Sequence, residues 1–290
     1  MEIPKSTIRS SESSRSGNYP HIVLEPPKGW APLNMGELWK FRELLLFLTW
    51  RDIKIRYKQT ALGATWAILQ PLLTMIVFSI IFGGLAKLPS DGVPYPIFTF
   101  SALLPWQLFA FALTQSSNSL VGNQNLISKV YFPRLVVPFS SVLAGVVDFC
   151  IAFVVLVGIM AYYHIHLTTA AFLLPVFLLL ALGSALAVGI WLSAMNVKYR
   201  DVRYLVPFLT QFWMYATPIA YSSSLIPDQW RWLYSLNPMT GVVEGFRWAI
   251  LGKSSLDIIS LFISASVVVI FLVSGLFFFK RMETSFADII

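Results

Sequence analysis

The chain has 290 residues, 57% of them apolar and only 12% charged, with a formal net charge of +7. Its mean hydropathy of +0.70 lies far above soluble averages, so the length is used up by membrane-type segments and leaves no room for a separate catalytic domain. The single cysteine, Cys150, excludes an internal disulfide or a Cys metal cluster, and it reads as a small buried packing residue.

Residues 1–34 are rich in Ser, Pro and charge, have no helical or strand period, and read as a disordered cytoplasmic tail. They hold no apolar run, so no cleavable signal peptide is expected. Residues 35–60 form the next unit, an amphipathic helix centred on GELWKFRELLLFLTWRDIKIRYK (36–58). At about 100° per residue, Lys40, Arg51, Lys54 and Lys58 share one polar face, with Arg42 and Arg56 opposite. Trp39, Phe41, Trp50 and Tyr57 are aromatic residues of the kind found at headgroup level. The segment fits either a passive anchor on the inner leaflet or a mechanical element touching a partner or a headgroup.

Six long apolar stretches follow, at 61–86, 97–118, 135–163, 167–195, 204–221 and 258–279. About 20 apolar residues cross a bilayer as a helix, so each is long enough to span. They make residues 61–280 one all-α, six-helix transmembrane domain and leave 281–290 as a cytoplasmic C-terminus. Of the 21 Lys and Arg residues, 17 fall on one side of this arrangement and 4 on the other. That bias predicts that both termini are cytoplasmic, and it makes the basic excess a matter of topology and anionic lipid rather than nucleic acid.

Within the spans, Gln70-Pro71 removes a backbone donor from the first helix. Span two mixes Trp106, Gln107, Phe109 and Gln115, and span five carries Trp213 and Tyr215. Aromatic and amide groups without charge fit a sugar chain passing along them, and they fit helix packing equally. Asp148 is the only formal charge inside any span. An intramembrane carboxylate needs a partner or a cavity, and with no further acids in line it reads as a packing and hydrogen-bonding residue rather than a proton relay. His164 and His166, at the end of span three, read as exposed loop residues.

The 118–134 connection has room for one short helix. Residues 222–257 differ from the other loops in holding many aromatics, Trp230 and Trp232 among them. Asn237-Pro238 and Gly252 predict a helix over 238–251, with a second over 227–235 opened by Pro227; both are too short to span and are expected to re-enter the outer leaflet. RWAILGKS (247–254) has Arg247 where a phosphate-binding loop needs Gly and follows no strand, so it is a chance match. There is no nucleotide site, catalytic triad or zinc motif, and the chain is not expected to act as an enzyme alone.

At RDIKIRYKQTALGATWAILQP (51–71) a family pattern begins, and it continues through KVYFPRLVVP (129–138), VVDF (146–149), NVKYRDVRY (196–204), TPIAYSSSLIP (217–227) and LNPMTGVVEGFRWAILG (236–252). Over residues 36–280 the chain resembles the membrane subunits of type-2 ABC exporters of polysaccharides and polyol phosphates. The resemblance implies two copies of the chain around a channel, with two copies of a separate ABC ATPase beneath that bind ATP and Mg; the chain itself needs no cofactor and no metal. It implies an interface helix at 36–58 and a coupling helix at 121–133, with Asn125, Lys129, Tyr131 and Arg134 meeting the ATPase. Trp230, Trp232, Glu244 and Arg247 would belong to outer gate helices. The substrate implied is a polyprenyl-pyrophosphate-linked polysaccharide of O-antigen, capsule or teichoic acid type, its head contacting Arg51, Lys54, Arg56 or Lys58. The competing readings are a type-2 exporter of a drug or simple lipid, and a non-transporting envelope scaffold.

Overall fold

The computed structural model describes residues 35–58, 63–252 and 256–289. The expected tail 1–34, the 59–62 join ahead of the first span, and Lys253-Ser254 of the phosphate-loop-like stretch lie outside the described residues.

Among those residues the structure is all helical. The elements are α1 (Met35–Lys40), α2 (Arg42–Lys58), α3 (Gly63–Phe78), α4 (Tyr95–Gly122), α5 (Gln124–Lys129) and α6 (Val136–Tyr162). They continue with α7 (Leu174–Lys198), α8 (Val202–Tyr215), α9 (Asp228–Ser235), α10 (Pro238–Leu251) and α11 (Ile258–Ile289). A π-helical turn, Ser79–Leu85, prolongs α3, and a 3₁₀ turn, Thr169–Leu173, leads into α7. Pro71 is carried inside α3, where the Thr74 hydroxyl donates to the Gln70 carbonyl at 2.9 Å.

Among the described residues five segments are long and apolar enough to cross a membrane: Thr65–Leu85, Tyr95–Gly122, Val136–Tyr162, Thr169–Lys198 and Ile258–Thr284. The expected fifth span, 204–221, is helical only over α8, 14 residues or about 21 Å, shorter than the other five and than the roughly 30 Å of a bilayer core. The chain leaves helical geometry at Ala216, two residues before Pro218, which has no amide donor and disfavours helix ahead of it, and the carbonyls beyond bond elsewhere.

Helix α4 is the axis of the domain. In its most apolar stretch 78% of residues are buried, against 11% in the Thr65–Leu85 span, which places α4 at the centre and α3 at an edge. Close approach to α4 is bought with small residues. A Cβ on Gly145 of α6 would lie 2.6 Å from the Phe111 ring, and one on Gly189 of α7 would lie 2.6 Å from the Ser116 hydroxyl. Between α4 and α7, Asn196 donates to the Ser117 carbonyl at 3.0 Å and to Asn118 at 3.1 Å. Cys150, expected inside, is exposed on the outward face of α6, a correction that follows from α6 turning Gly145 and Ala144 toward the core instead.

Helix α2 does not form one amphipathic rod with Lys40, because the helix breaks at Phe41. It also runs beside α6. Thr49 donates to the Ser140 carbonyl and Tyr57 to Asp148, so both helices advance eight residues, about 12 Å, between the two contacts. Lys40, Lys54 and Lys58 are exposed and Arg56 faces the protein, as the wheel expects, but Arg51 turns inward and several large apolar residues face out. Leu46, Phe47, Trp50 and Ile55 are exposed, whereas Arg51, Asp52, Arg56 and Tyr57 are half-buried against the protein.

Candidate functional site

Three places gather the residues that chemistry singles out. The first is a cavity of about 360 Å³ between α2, α3, α4 and α6. Trp106, Gln107, Thr114 and Gln115 of α4 line it with Gln70 and Thr74 of α3, and one charged group from each of α2 and α6 closes it. Arg56 Nη2 lies 2.5 Å from Asp148 Oδ2, the guanidinium stands 4.1 Å over the Phe111 ring, and Tyr57 donates its hydroxyl to Asp148 Oδ1. Asp148 is about 18 Å along α6 from its first residue, so this ion pair is deep in the helical domain. Both charges there need a partner, and each supplies the other's.

The expected channel residues divide. Gln107 and Gln115 open on the cavity, and Trp106 shows it one edge while its ring packs 5.3 Å from Phe109. Phe109 is fully buried in the central core and lines nothing. Trp213 is half-buried and donates to Asn237 Oδ1 at 2.8 Å; Tyr215 is exposed on α8.

The second place is the end of the domain where α5 sits. Leu48 of α2, Leu120 of α4, Ile127 of α5, Phe132 and Phe286 of α11 form one buried cluster. The turn between α4 and α5 is also tied to α2, since Arg51 Nη2 donates to Asn123 Oδ1 at 2.8 Å while pairing with Asp52 at 2.7 Å. Asn125, Lys129 and Tyr131 are exposed around α5. Arg134 is engaged within the chain instead: it donates to the Glu283 carbonyl and lies 5.7 Å from the Phe286 ring. The helix expected over 121–133 is thus six residues long and rests on a platform of three other helices. Helix α11 runs on through the expected tail 281–290 as far as Ile289, because Phe286 has this cluster to bury against. On α2, Arg42 at the start and Lys54 and Lys58 at the end are the exposed cations.

The third place is the opposite end. Asn237 caps α10 by accepting from the Met239 amide at 3.0 Å, and Gly252 ends that helix at φ 65°. Both roles follow from their side chains. Asn237 does more: its amide donates to Ala216 O at 3.2 Å and Thr217 Oγ1 at 3.0 Å, joining α10 to the end of α8. Arg247 is buried at 6% exposure. It donates to Phe98 O at 3.1 Å, Pro218 O at 2.6 Å and Ile219 O at 2.6 Å, with its guanidinium 3.6 Å over the Phe98 ring. These bonds take up carbonyls that a continuing α8 would have used. Burial raises the Glu244 carboxyl above the ordinary carboxylate range, opposed by a Ser223 hydrogen bond and by Arg247. Trp230 and Trp232 are exposed on α9.

Sequence reasoning missed the Arg56–Asp148 pair and the stapling role of Arg247. A signal existed for the first. Arg56 falls opposite Arg51, Lys54 and Lys58 of its helix, and a cation on an apolar face requires a counter-charge, of which the spans offer one. His164 and His166 are exposed, and among the described residues no group of three or more His, Cys, Asp or Glu is placed to hold a metal.

Comparison with known proteins gives the family. The O-antigen export system permease protein RfbA of Klebsiella pneumoniae is 30% identical over 262 residues, covering 89% of this chain and 97% of that protein. The protein of the same name from Myxococcus xanthus is 30% identical over 255 residues, covering 87% and 97%. The polysialic acid transport protein KpsM of Escherichia coli is 26% identical over 245 residues, covering 82% and 92%. Residues 43–251, from the start of α2 to the end of α10, match the family described as ABC-2 type transporter, and the chain belongs to that family.

Proposed function

We propose that this chain is the permease subunit of an ATP-driven polysaccharide exporter of the O-antigen type. The observation that carries the reading is the near full-length likeness to export permeases, with α2 through α10 inside the matched region. In this reading two copies enclose the path and a separate ABC ATPase hydrolyses ATP with Mg, since no motif of this chain binds nucleotide. Asn125, Lys129 and Tyr131 face that ATPase from the cytoplasmic side. Their exposure on a short helix braced by α2, α4 and α11 supports the assignment, because a braced element passes force to the spans rather than flexing.

The substrate in this reading is a glycan on a polyprenyl pyrophosphate. Lys54 and Lys58 are the exposed cations in the last turns of α2 that meet its head, while Arg51, through Asn123, and Arg56, through Asp148, hold the helix to the domain. The uncharged amides and hydroxyls around the 360 Å³ cavity suit sugar hydroxyls better than a wholly apolar drug. The test is to deplete the protein in its host and extract membrane lipids. Lipid-linked glycan accumulating inside while surface polymer disappears is the expected result; unchanged glycolipids and unchanged surface polymer would sink the proposal. Joint replacement Lys54→Ala, Lys58→Ala tests the headgroup role separately, by slower export and weaker salt dependence.

A further inference from the structure

A polymer moving along this chain would meet paired charge at one end and acid at the other. Among the described residues lining the 360 Å³ cavity, Arg56 is the only cation and Asp148 the only carboxylate. They are tied to each other at 2.5 Å, Tyr57 donates to the other carboxylate oxygen, and the guanidinium stands 4.1 Å over the Phe111 ring. The two charges cancel in place. What the cavity then offers a passing molecule is the neutral amides of Gln70, Gln107 and Gln115 and the hydroxyls of Thr74 and Thr114. Amides both donate and accept, as sugar hydroxyls do. An ionised group brought into such surroundings loses water without gaining a counter-charge, and the penalty recurs at every repeat of a polymer.

The opposite end of the domain carries the same bias with different residues. Asp91, Glu244 and Asp257 line a cavity of about 290 Å³ there. Asp91 Oδ2 accepts from Ser222 at 2.7 Å, and Asp257 Oδ1 accepts from the Ile259 and Ser260 amides at 3.1 and 3.2 Å, so both carboxylates are fixed. Arg231, the one cation among the described residues of this lining, pairs with Asp228 at 3.1 Å. Arg247 gives its donors to three backbone carbonyls. Acid held in this way repels an anion and leaves a neutral chain unaffected.

We propose that the exported polymer is uncharged along its length, and that Asp148 sets this preference by cancelling Arg56. This rests on the export reading above and narrows it. Polyol phosphates and acidic capsules fall outside the substrate class, and neutral glycans fall within it. The anionic group of the substrate, the pyrophosphate of its carrier, is met by Lys54 and Lys58, which line neither cavity. Removing the Asp148 carboxylate alone leaves the Arg56 charge uncancelled beside the amides, and removing both charges returns the cavity to neutrality.

Two measurements test this. In the first, the surface polymer that disappears when the chain is depleted is purified and its sugars are identified. A repeat unit without carboxylate, phosphate or sulfate is expected. A repeat unit bearing one overturns this inference and leaves the export reading standing, whereas polymer persisting on cells without the chain sinks the export reading and this one with it. The second uses the full-length chain in phosphatidylcholine nanodiscs, with maltoheptaose and heptagalacturonate as neutral and anionic probes of equal length in saturation-transfer NMR. The parent should favour maltoheptaose by about fivefold, and Asp148→Asn should shift that ratio about fivefold toward heptagalacturonate. Arg56→Gln joined to Asp148→Asn should return it. A pair that only braced α2 would leave the ratio where it was, however far stability fell. Equal or tighter binding of heptagalacturonate to the parent, binding of neither probe, or a ratio unmoved by Asp148→Asn overturns the assignment.

Discussion

Replacing Arg247 by Met is the sharpest perturbation the structure offers. The guanidinium satisfies three carbonyls, but they are not equally dependent on it. Phe98 O also accepts from the Ser101 hydroxyl at 3.0 Å and so keeps a partner. Pro218 O and Ile219 O lie outside any helix, and Arg247 supplies their bonds. Each buried carbonyl left unsatisfied costs about 1–3 kcal/mol, and removing the cation recovers part of its own burial penalty, so the net loss is about 3 kcal/mol. For a chain of this size that corresponds to roughly 6–12 °C in thermal midpoint. Arg247→Lys keeps the charge but reaches one carbonyl, and should recover less than half. The assay is thermal unfolding in nanodiscs, followed by tryptophan fluorescence. A loss below about 0.5 kcal/mol for Arg247→Met, the range of ordinary surface changes, would refute the stapling argument.

Other predictions follow the same reasoning. Asp148→Asn and Arg56→Gln should each destabilise by about 2 kcal/mol, between the values for exposed and buried pairs, with a coupling energy of at least 1 kcal/mol in the double-mutant cycle; additive losses would show that the pair does not act as a unit. Phe286→Ala should cost about 3 kcal/mol by opening the cluster under α5, and the protease sensitivity of the last turns of α11 should rise with it. Tyr131→Ala, at an exposed site, should leave the midpoint within 0.5 kcal/mol while lowering ATPase stimulation in the reconstituted complex, and unchanged stimulation would remove Tyr131 from the contact. Glu244 has a carboxyl raised by burial, so the folded state binds the extra proton; stability should fall as pH rises above the ordinary carboxylate range, and Glu244→Gln should flatten that dependence.

How much of this was legible in the sequence depended on how local the cause was. Spans two, three, four and six begin within two residues of the expectation, except that the fourth is entered through a 3₁₀ turn, because uninterrupted apolar runs have one solution in a membrane. Helix α10 matches over 238–251 because Asn237 and Gly252 act on their own backbone. The end of α8 was legible in part: Pro218 lacks an amide donor and disfavours helix just before it, while the guanidinium that holds residues 218 and 219 lies some 28 residues away. The orientation of α2 was legible in part: Lys54 and Lys58 face outward with the wheel, whereas Arg51, set on the same face, turns to Asn123, and Arg56 answers to Asp148, ninety-two positions along the chain. Helix α11 outlasted its expected end because charge at Lys280 and Arg281 stops an apolar run without stopping a helix.

The length of α11 has a mechanical consequence. Its first turns are bonded to α9, Ser260 by the Ser235 hydroxyl at 2.8 Å and Ser264 to the Ser235 carbonyl at 3.0 Å, while its last turns hold Arg134 and Phe132 beside α5. Between these, Trp191 of α7 stacks on Phe278 at 4.3 Å and donates to the Phe271 carbonyl at 3.3 Å. That is a lever with its fulcrum near the middle. A 32-residue helix is about 48 Å long, so a rocking of about 5° about that point moves each tip by about 2 Å, in opposite directions. A push on α5 therefore reaches α9 as a pull, carried by a single rigid rod.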